Sequence, residues 1–377
     1  MTEPDAIVPL IQRNTYLVNR FLTGKDKSEY LQASADMRDL VLGVLKTVPQ
    51  FYNPNAPLVP GIQDILDQWR VPWRFLAAPE SWTDHTVELN LATAKDMKGA
   101  MKSLKRAIDQ EVMISLLHRI EDGLWTQPDT TKMESALATE PLPMSIPATL
   151  NEHANGLFPA YAPGGAWTTS QQINPVTLTA WLRVAETYVS YGPVQSVAAA
   201  DVPHLFYGLD RATARTSFDR IPLIPEYSDK KTMPAFIACS LTGRSNASYS
   251  MLGTQDAFVM AGRQDPAYPD PQFHGIPFVW APPLDTAALY ANAGATALVD
   301  ETAADLSGPR YYGVNTLMML LGWYKARMFY RKSTPSSATQ PFTNTIWIDN
   351  WYNLINRAPN RHFIVSPSAD VTLAVQI

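Results

Sequence analysis

The chain has a single cysteine, Cys239, in 377 residues. An intramolecular disulfide is therefore excluded, and assembly in a reducing compartment fits. Cys239 lies in AFIACS, an apolar run that reads as a buried strand, where thiols are inert. Charge is also scarce: 17% of residues are charged, against about 25% in an average soluble domain. The net charge of -5 and pI near 5.7 argue against a protein whose main task is gripping nucleic acid. They do not exclude a surface that lies near nucleic acid without binding it. No apolar run approaches the roughly 18 residues of a membrane span, so no membrane partner is expected. The best stretch, Val314 to Trp323, is too short. The first residues, MTEPDAIVPL, carry acids where a signal peptide needs bases, so no secretory leader is expected.

Catalytic signatures are missing too. The six histidines are His85, His118, His153, His204, His274 and His362, and no HExxH pair or CxxC motif accompanies them. No metal site is legible, and no cofactor is expected. There is no GxxxxGK[ST] loop, no GxGxxG after a strand and no GxSxG elbow. The sharpest acidic group is Asp265, Asp270 and Asp285, in DPAYPDPQ and APPLD. Paired carboxylates of this kind can do acid–base work in a hydrolase. Asp-Pro and Pro-Asp are also turn formers, and a solvated loop is the simpler reading.

What is abundant is proline and aromatic side chain: 31 Pro, 10 Trp, 16 Tyr and 13 Phe. Prolines spread through PNAP, IPLIP and DPAYPDP suit extended arms and edge segments. Aromatics with few charges suit surfaces covered by partners as well as large cores. At this length the chain exceeds one ordinary core, so two or more domains are expected.

Apolar spacing predicts a helix from Ser28 to about Thr47, with Val41, Val44, Leu45 and Val48 on one face and Pro49 ending it. A short amphipathic helix is expected around Ile62, Ile65, Leu66 and Trp69, and a strand at TDHTVELN. The strongest element spans Thr93 to about Asp122. Met97, Met101, Leu104, Ile108, Val112, Leu116 and Ile120 form its stripe, and Gly123 is expected to stop it. Such a helix is about 45 Å long and needs a sheet or neighbouring chains along it. A further helix is expected from Val176 to Tyr191, a buried strand at MPAFIACS, and a helical segment at TGRSNASYSMLG. The last hundred residues read as strands, with turns at Gly275, Pro282-Pro283, Gly308-Pro309 and Pro359-Asn360. Lys95, Lys98, Lys102, Lys105 and Arg106 recur on the long helix. They could face a neighbouring subunit's carboxylates, nucleic acid or plain solvent. Lys325, Arg327, Arg331 and Lys332 surround Met328-Phe329-Tyr330.

Residues 90–370, taken in order, resemble the Hong Kong 97-type major capsid proteins of tailed bacteriophages. The long helix followed by EDGLW is similar to that family's spine helix and the turn after it. NPVTLTAWLRVAETYVSYG and PAFIACS resemble its axial domain. FHGIPFVWAPPLD, YYGVNTLMMLLGW and NRHFIVSP resemble strands returning to the peripheral domain. Gly275-Ile276-Pro277 stands where that family has a G-x-P strand, and Tyr311 to Thr316 where it has Y-x-x-N-T. Asn353 to Phe363 resembles its Asn-, Arg- and aromatic-rich end.

The resemblance implies an α+β fold with an N-terminal arm over residues 1–50 and an extended loop over 51–92. It implies a peripheral domain with the spine helix over 93–174, an axial domain over 175–305, and returning peripheral strands over 306–377. It implies hexamers and pentamers of this chain, closing into an icosahedral head shell around double-stranded DNA. Portal, a separate scaffolding protein and a decoration protein would be partners. The location implied is the virion capsid, assembled in the bacterial cytoplasm. No reactive lysine aligns with the family's lysine–asparagine cross-link. The alternatives are another virion protein (tail, decoration or adaptor) and the carboxylate hydrolase above.

Overall fold

The computed structural model describes residues 17–18, 21, 28–30, 36–42, 66–83, 85–86, 97–126, 132–133, 141–150, 184–188, 204–216, 235–253, 271–285, 310–316, 318–334, 343–356 and 361–367. The longest element is helix α1, Met97–Leu124, whose 28 residues span about 42 Å. Ile108, Val112, Leu116, Ile120 and Leu124 recur at every fourth position and are all buried. Ala107, Glu111, Ser115 and Arg119 beside them are exposed. That division makes the helix a one-sided support laid against a sheet. The expected start at Thr93 lies outside the described residues. Gly123 does not stop the helix; it sits inside the last turn. A Cβ there would come 2.9 Å from Cγ of Pro143, so the glycine admits the segment 141–150 close to the helix.

Thirteen strands are described: β1 (Ser28–Tyr30), β2 (Asp36–Leu42), β3 (Leu66–Pro72), β4 (Arg74–Thr83), β5 (Val184–Tyr188), β6 (Ala235–Cys239), β7 (Gln272–Phe273), β8 (Ile276–Trp280), β9 (Tyr311–Asn315), β10 (Met319–Tyr324), β11 (Tyr330–Thr334), β12 (Thr343–Asn356) and β13 (Phe363–Pro367). Helices α2 (Leu205–Thr216) and α3 (Leu241–Gly253) accompany them. The result is a mixed helix-and-sheet molecule.

The first sheet is organised on β12, which pairs antiparallel with β4 along one edge and with β10 and β11 along the other. Strand β1 adds to β10 in parallel. Residues of β12 alternate: Ile346, Ile348, Asn350 and Tyr352 are buried, whereas Trp347 is exposed and Asp349 and Trp351 are half-buried. The buried row shares its core with the apolar stripe of α1.

The second sheet has the order β5-β13-β9-β6-β8-β7. Both its faces are covered. Phe236, Tyr312, Val314 and Ile364 join the main core, while Ile237, Cys239, Tyr311, Phe363 and Val365 pack with Leu205 and Leu209 of α2. All five residues of β9 are therefore buried. The β7–β8 turn uses His274 and Gly275 at φ of 49° and 81°, the positive values a two-residue hairpin of this twist requires.

Several expectations are corrected here. Ser28–Thr47 is not a helix where it is described: it carries β1 and β2. The segment around Ile62–Trp69 supplies β3, which pairs antiparallel with β2 as a two-stranded ribbon. Of the helix expected over Val176–Tyr191, the described part, Val184–Tyr188, is strand β5. Of TDHTVELN, Thr83 ends β4 and His85 and Thr86 are helical; the rest lies outside the described residues. Strands β8, β9 and β13 lie in the second sheet with β5 and β6, because a strand apolar on both faces needs covering on both, whereas β10 of the same YYGVNTLMMLLGW run joins the first sheet. AFIAC, the helix at Leu241 and the turn at Gly275 are as expected. Gly308-Pro309 and Pro359-Asn360 lie outside the described residues.

Two buried polar side chains tie remote segments together. Oδ1 of Asn353 accepts from the backbone N–H groups of Met144 (2.7 Å) and Leu354 (2.8 Å), and its Nδ2 donates to the carbonyl of Pro72 (2.7 Å). Nη2 of Arg74, a residue buried to 2% exposure, donates to the carbonyl of Met133. Burial pulls the Arg74 guanidinium down to about 10.

Candidate assembly interface

The outward face of the first sheet is aromatic and open. Strand alternation puts Trp347, Asp349 and Trp351 of β12 on this side. Across the ladder stand Pro79, Ala77 and Phe75 of β4, and Lys332 and Tyr330 of β11. Phe75 is 56% exposed, Tyr330 44% and Trp347 41%. Single exposed aromatics are ordinary; three on one sheet face, over further half-buried rings, form a surface that water covers at a cost.

The rings are organised. Phe75 meets Trp351 edge-on at 4.7 Å, and Tyr324 stacks on Trp351 at 5.2 Å. The Arg327 guanidinium lies 4.8 Å from the Tyr330 centroid and 5.7 Å from that of Trp351. Asp349 accepts from the Trp351 indole at 3.2 Å and pairs with Arg327 at 3.5 Å. This half-exposed ion pair adds little stability, about 0–1 kcal/mol. Its effect is to hold Arg327 over the rings. Lys325 and Lys332 are exposed on the same stretch of chain. The resulting surface is an aromatic platform with a cationic rim; its aromatic and Arg side chains are of the types enriched at interface centres. Arg331 belongs to the opposite side, where it reaches Asp109 of α1 at 3.3 Å.

Of the basic residues expected on the long helix, Lys105 and Arg106 are exposed. Lys98 and Lys102 lie within α1, but their side chains, like all of Lys95, are outside the described residues. Their ability to reach a common partner is therefore a matter for proposal. The aromatic platform was not foreseen as a site. Phe75 and Trp351 are remote in sequence, and only the β4–β12 register joins them.

Of the acid–base candidates, only Asp285 is described. Asp285 accepts from the backbone N–H of Leu241 at 2.6 Å and from the Trp280 indole at 2.5 Å, so it caps the start of α3. Asp265 and Asp270 lie outside the described residues. Asp285→Ala is expected to cost about 1 kcal/mol, the usual loss of a helix cap, read as a lower denaturation midpoint. Cys239 is fully buried, and burial pushes its thiol up to about 12. His362 is also fully buried; its Nδ1 accepts from the Asn315 N–H at 3.1 Å, and burial holds the ring neutral by lowering it to about 3. Exposed His274 lies 3.5 Å from Asp210. Among the described residues no group of three or more His, Cys, Asp or Glu could hold a metal ion. No described helix is long and apolar enough to cross a membrane.

No protein-family model matches the chain, and no curated protein matches its sequence. Solved structures do match its fold. The capsid of a native GTA particle aligns over 95% of this chain and 92% of its own, with a TM-score of 0.52 at 13% identity. The cyanophage A-1(L) capsid aligns over 91% and 90%, with 0.53 at 12% identity. The mature capsid of bacteriophage PhiM1 aligns over 91% and 86%, with 0.51 at 12% identity. The fold is that of phage capsid subunits. At such identities the likeness concerns backbone architecture, and side-chain roles must be argued from this chain's own residues.

Proposed function

We propose that this protein is the major capsid protein of a tailed phage, assembling through hexamers and pentamers into the icosahedral shell around its double-stranded DNA. The observation that carries this reading is the fold similarity along nearly the whole chain to capsid subunits. The exposed aromatic, cation-rimmed sheet face supports a role in subunit contact. In this reading α1 is the spine helix, and the six-stranded sheet with α2 and α3 is the axial unit. The β2–β3 ribbon is the extended loop, reaching over a neighbouring subunit. An isolated two-stranded ribbon is marginal in water and gains from such a bed. The platform of Phe75, Tyr330 and Trp347 is an inter-subunit contact. Lys105 and Arg106, exposed on α1, would face a neighbour or the packaged DNA, with Lys95, Lys98 and Lys102 as further candidates. A separate scaffolding protein and the portal join assembly in the host cytoplasm, and the product resides in the virion. Many weak contacts per subunit suffice, since each is made within an already assembled ring.

The test is negative-stain electron microscopy with light scattering on the purified chain, alone and co-expressed with its scaffolding partner. Rings, tubes or closed shells are expected. A particle that stays monomeric or dimeric under both conditions overturns the reading. The double variant Phe75→Ser/Trp347→Ser is expected to keep the wild-type circular dichroism spectrum. Its assembly should weaken at least tenfold, as expected on losing two aromatic anchors.

A further inference from the structure

We propose that the aromatic platform is a slot for one segment of a second copy of this chain, the proline-rich and acidic residues 265–270. The inference rests on the shell reading for its supply of neighbouring copies, and it names what the platform holds. The register of the first sheet lays the slot out. Trp351 stands opposite Phe75 of β4, and Trp347 stands opposite Pro79 of β4 and Lys332 of β11. Between these two rows Ala77 and the half-buried Asp349 form a lower floor, with Tyr330 in register at its β11 end. Trp347 and Trp351 are four residues apart on one strand, so their Cα atoms are about 13 Å apart. One extended chain fits between walls so spaced. The slot crosses the strands, and from β4 to β11 it covers two strand spacings, roughly 10 Å. Tyr330 closes it, with the Arg327 guanidinium 4.8 Å from its ring centroid and Lys332 exposed beside it.

Aromatic-walled slots take polyproline II segments, because such segments are already extended and lose little freedom on binding. Charge then selects among the prolines of this chain. The β11 end of the slot carries Arg327 and Lys332 against one carboxylate, Asp349, so it favours an anion. Residues 265–270 read DPAYPD. Pro266 and Pro269 form a P-x-x-P pair, and three residues of polyproline II advance about 9 Å, close to the length of the slot. Asp265 and Asp270 flank the pair directly, so in either direction of docking one acid meets the cationic end. The other P-x-x-P pairs, at 54–57, 57–60 and 222–225, lack an acid on both sides. In sequence the segment leads into β7, the last strand of the second sheet, and the carbonyl of Pro271 accepts from the Phe278 N–H at 3.0 Å.

Fluorescence anisotropy tests this, with a labelled synthetic peptide of residues 264–271 titrated with the full-length, unassembled chain. Saturable binding is expected. Replacing Pro266 and Pro269 of the peptide by Ala, or Asp265 and Asp270 by Asn, should each weaken it about fivefold or more. In the protein, Trp347→Ser and Lys332→Glu should each weaken it on the order of tenfold, with the circular dichroism spectrum unchanged. No saturable binding overturns the slot, as does equal affinity for the Ala-substituted peptide or wild-type affinity in Lys332→Glu. Should Trp347→Ser fail to fold, Lys332→Glu decides alone. An oligothymidylate run alongside checks the other occupant: if it binds where the peptide does not, and Lys332→Glu abolishes that binding, the platform is a nucleic-acid surface and the proposal falls. Self-association that excess peptide leaves intact but Trp347→Ser removes assigns the platform to a second platform, and overturns it too. The shell reading is judged separately by electron microscopy of the wild type. Shells without peptide binding sink the slot alone, and peptide binding without rings or shells sinks the shell alone.

Discussion

Gly313→Ala should cost about 3 kcal/mol, and Gly313→Val should leave no folded protein, as read from denaturant midpoints and soluble yield. Gly313 lies in β9 directly opposite Phe363 of β13. A Cβ at this position would fall within the Phe363 ring, overlapping three of its carbons. The ring has nowhere to go. It is fully buried, its strand is held by β5 on one side and β9 on the other, and Tyr311, Tyr188 and Phe278 fill the surrounding core. Glycine is needed here for close approach and not for backbone angle. The companion Gly313→Ala/Phe363→Leu should therefore recover part of the loss, because leucine cannot cover the glycine as the ring does. A double-mutant cycle measures this directly. Additive losses would show that the ring is not what excludes the methyl group.

Asn353→Leu should be comparably damaging, at about 3–5 kcal/mol, since it leaves buried donors and a buried carbonyl without partners. The side chain serves Met144, Leu354 and Pro72 together, at 2.7–2.8 Å. Asn353→Asp separates the two halves of that role. Its carboxylate still accepts from Met144 and Leu354 but presents an oxygen to the Pro72 carbonyl. Only the protonated acid can donate there. Asn353→Asp should therefore be unstable at neutral pH and regain stability as pH falls and the buried acid takes up its proton. Equal stability of this variant at pH 5 and pH 8 would sink the assignment. Pro72 ends β3, so loosening of the β2–β3 ribbon should accompany the loss, visible as faster hydrogen exchange there.

The parts of this fold legible in the sequence are those whose burial is local. Ile108 to Leu124 repeat with a helical period along one continuous helix, and AFIAC is apolar on both faces. Segments whose structure depends on a remote partner were misread. Val41, Val44, Leu45 and Val48 have helical spacing, yet Val41 stands in a strand whose partner, Asp67, comes from beyond a long intervening stretch. Short apolar windows fit either period, and pairing decides between them. The same holds for VAETY, which lies beside β13 at the far end of the chain. The platform was invisible for a related reason. Phe75, Tyr330 and Trp347 are each unremarkable alone, and only their shared exposure on one sheet face makes them a surface. The helix lysines, by contrast, were conspicuous as a row in the sequence, and of their side chains only that of Lys105 is described, as exposed.

Strand β12 also has a mechanical consequence. Its 14 residues are flanked by β4 along one edge and by β10 and β11 along the other. Antiparallel ladder bonds run perpendicular to their strands. Tension applied along β12 therefore loads the flanking bonds in shear and all at once, whereas a peeling force would break them singly. Asn353 lies on this strand and holds the base of the ribbon through Pro72. A pull on the ribbon is thus delivered lengthwise into the sheet, the direction in which it yields least.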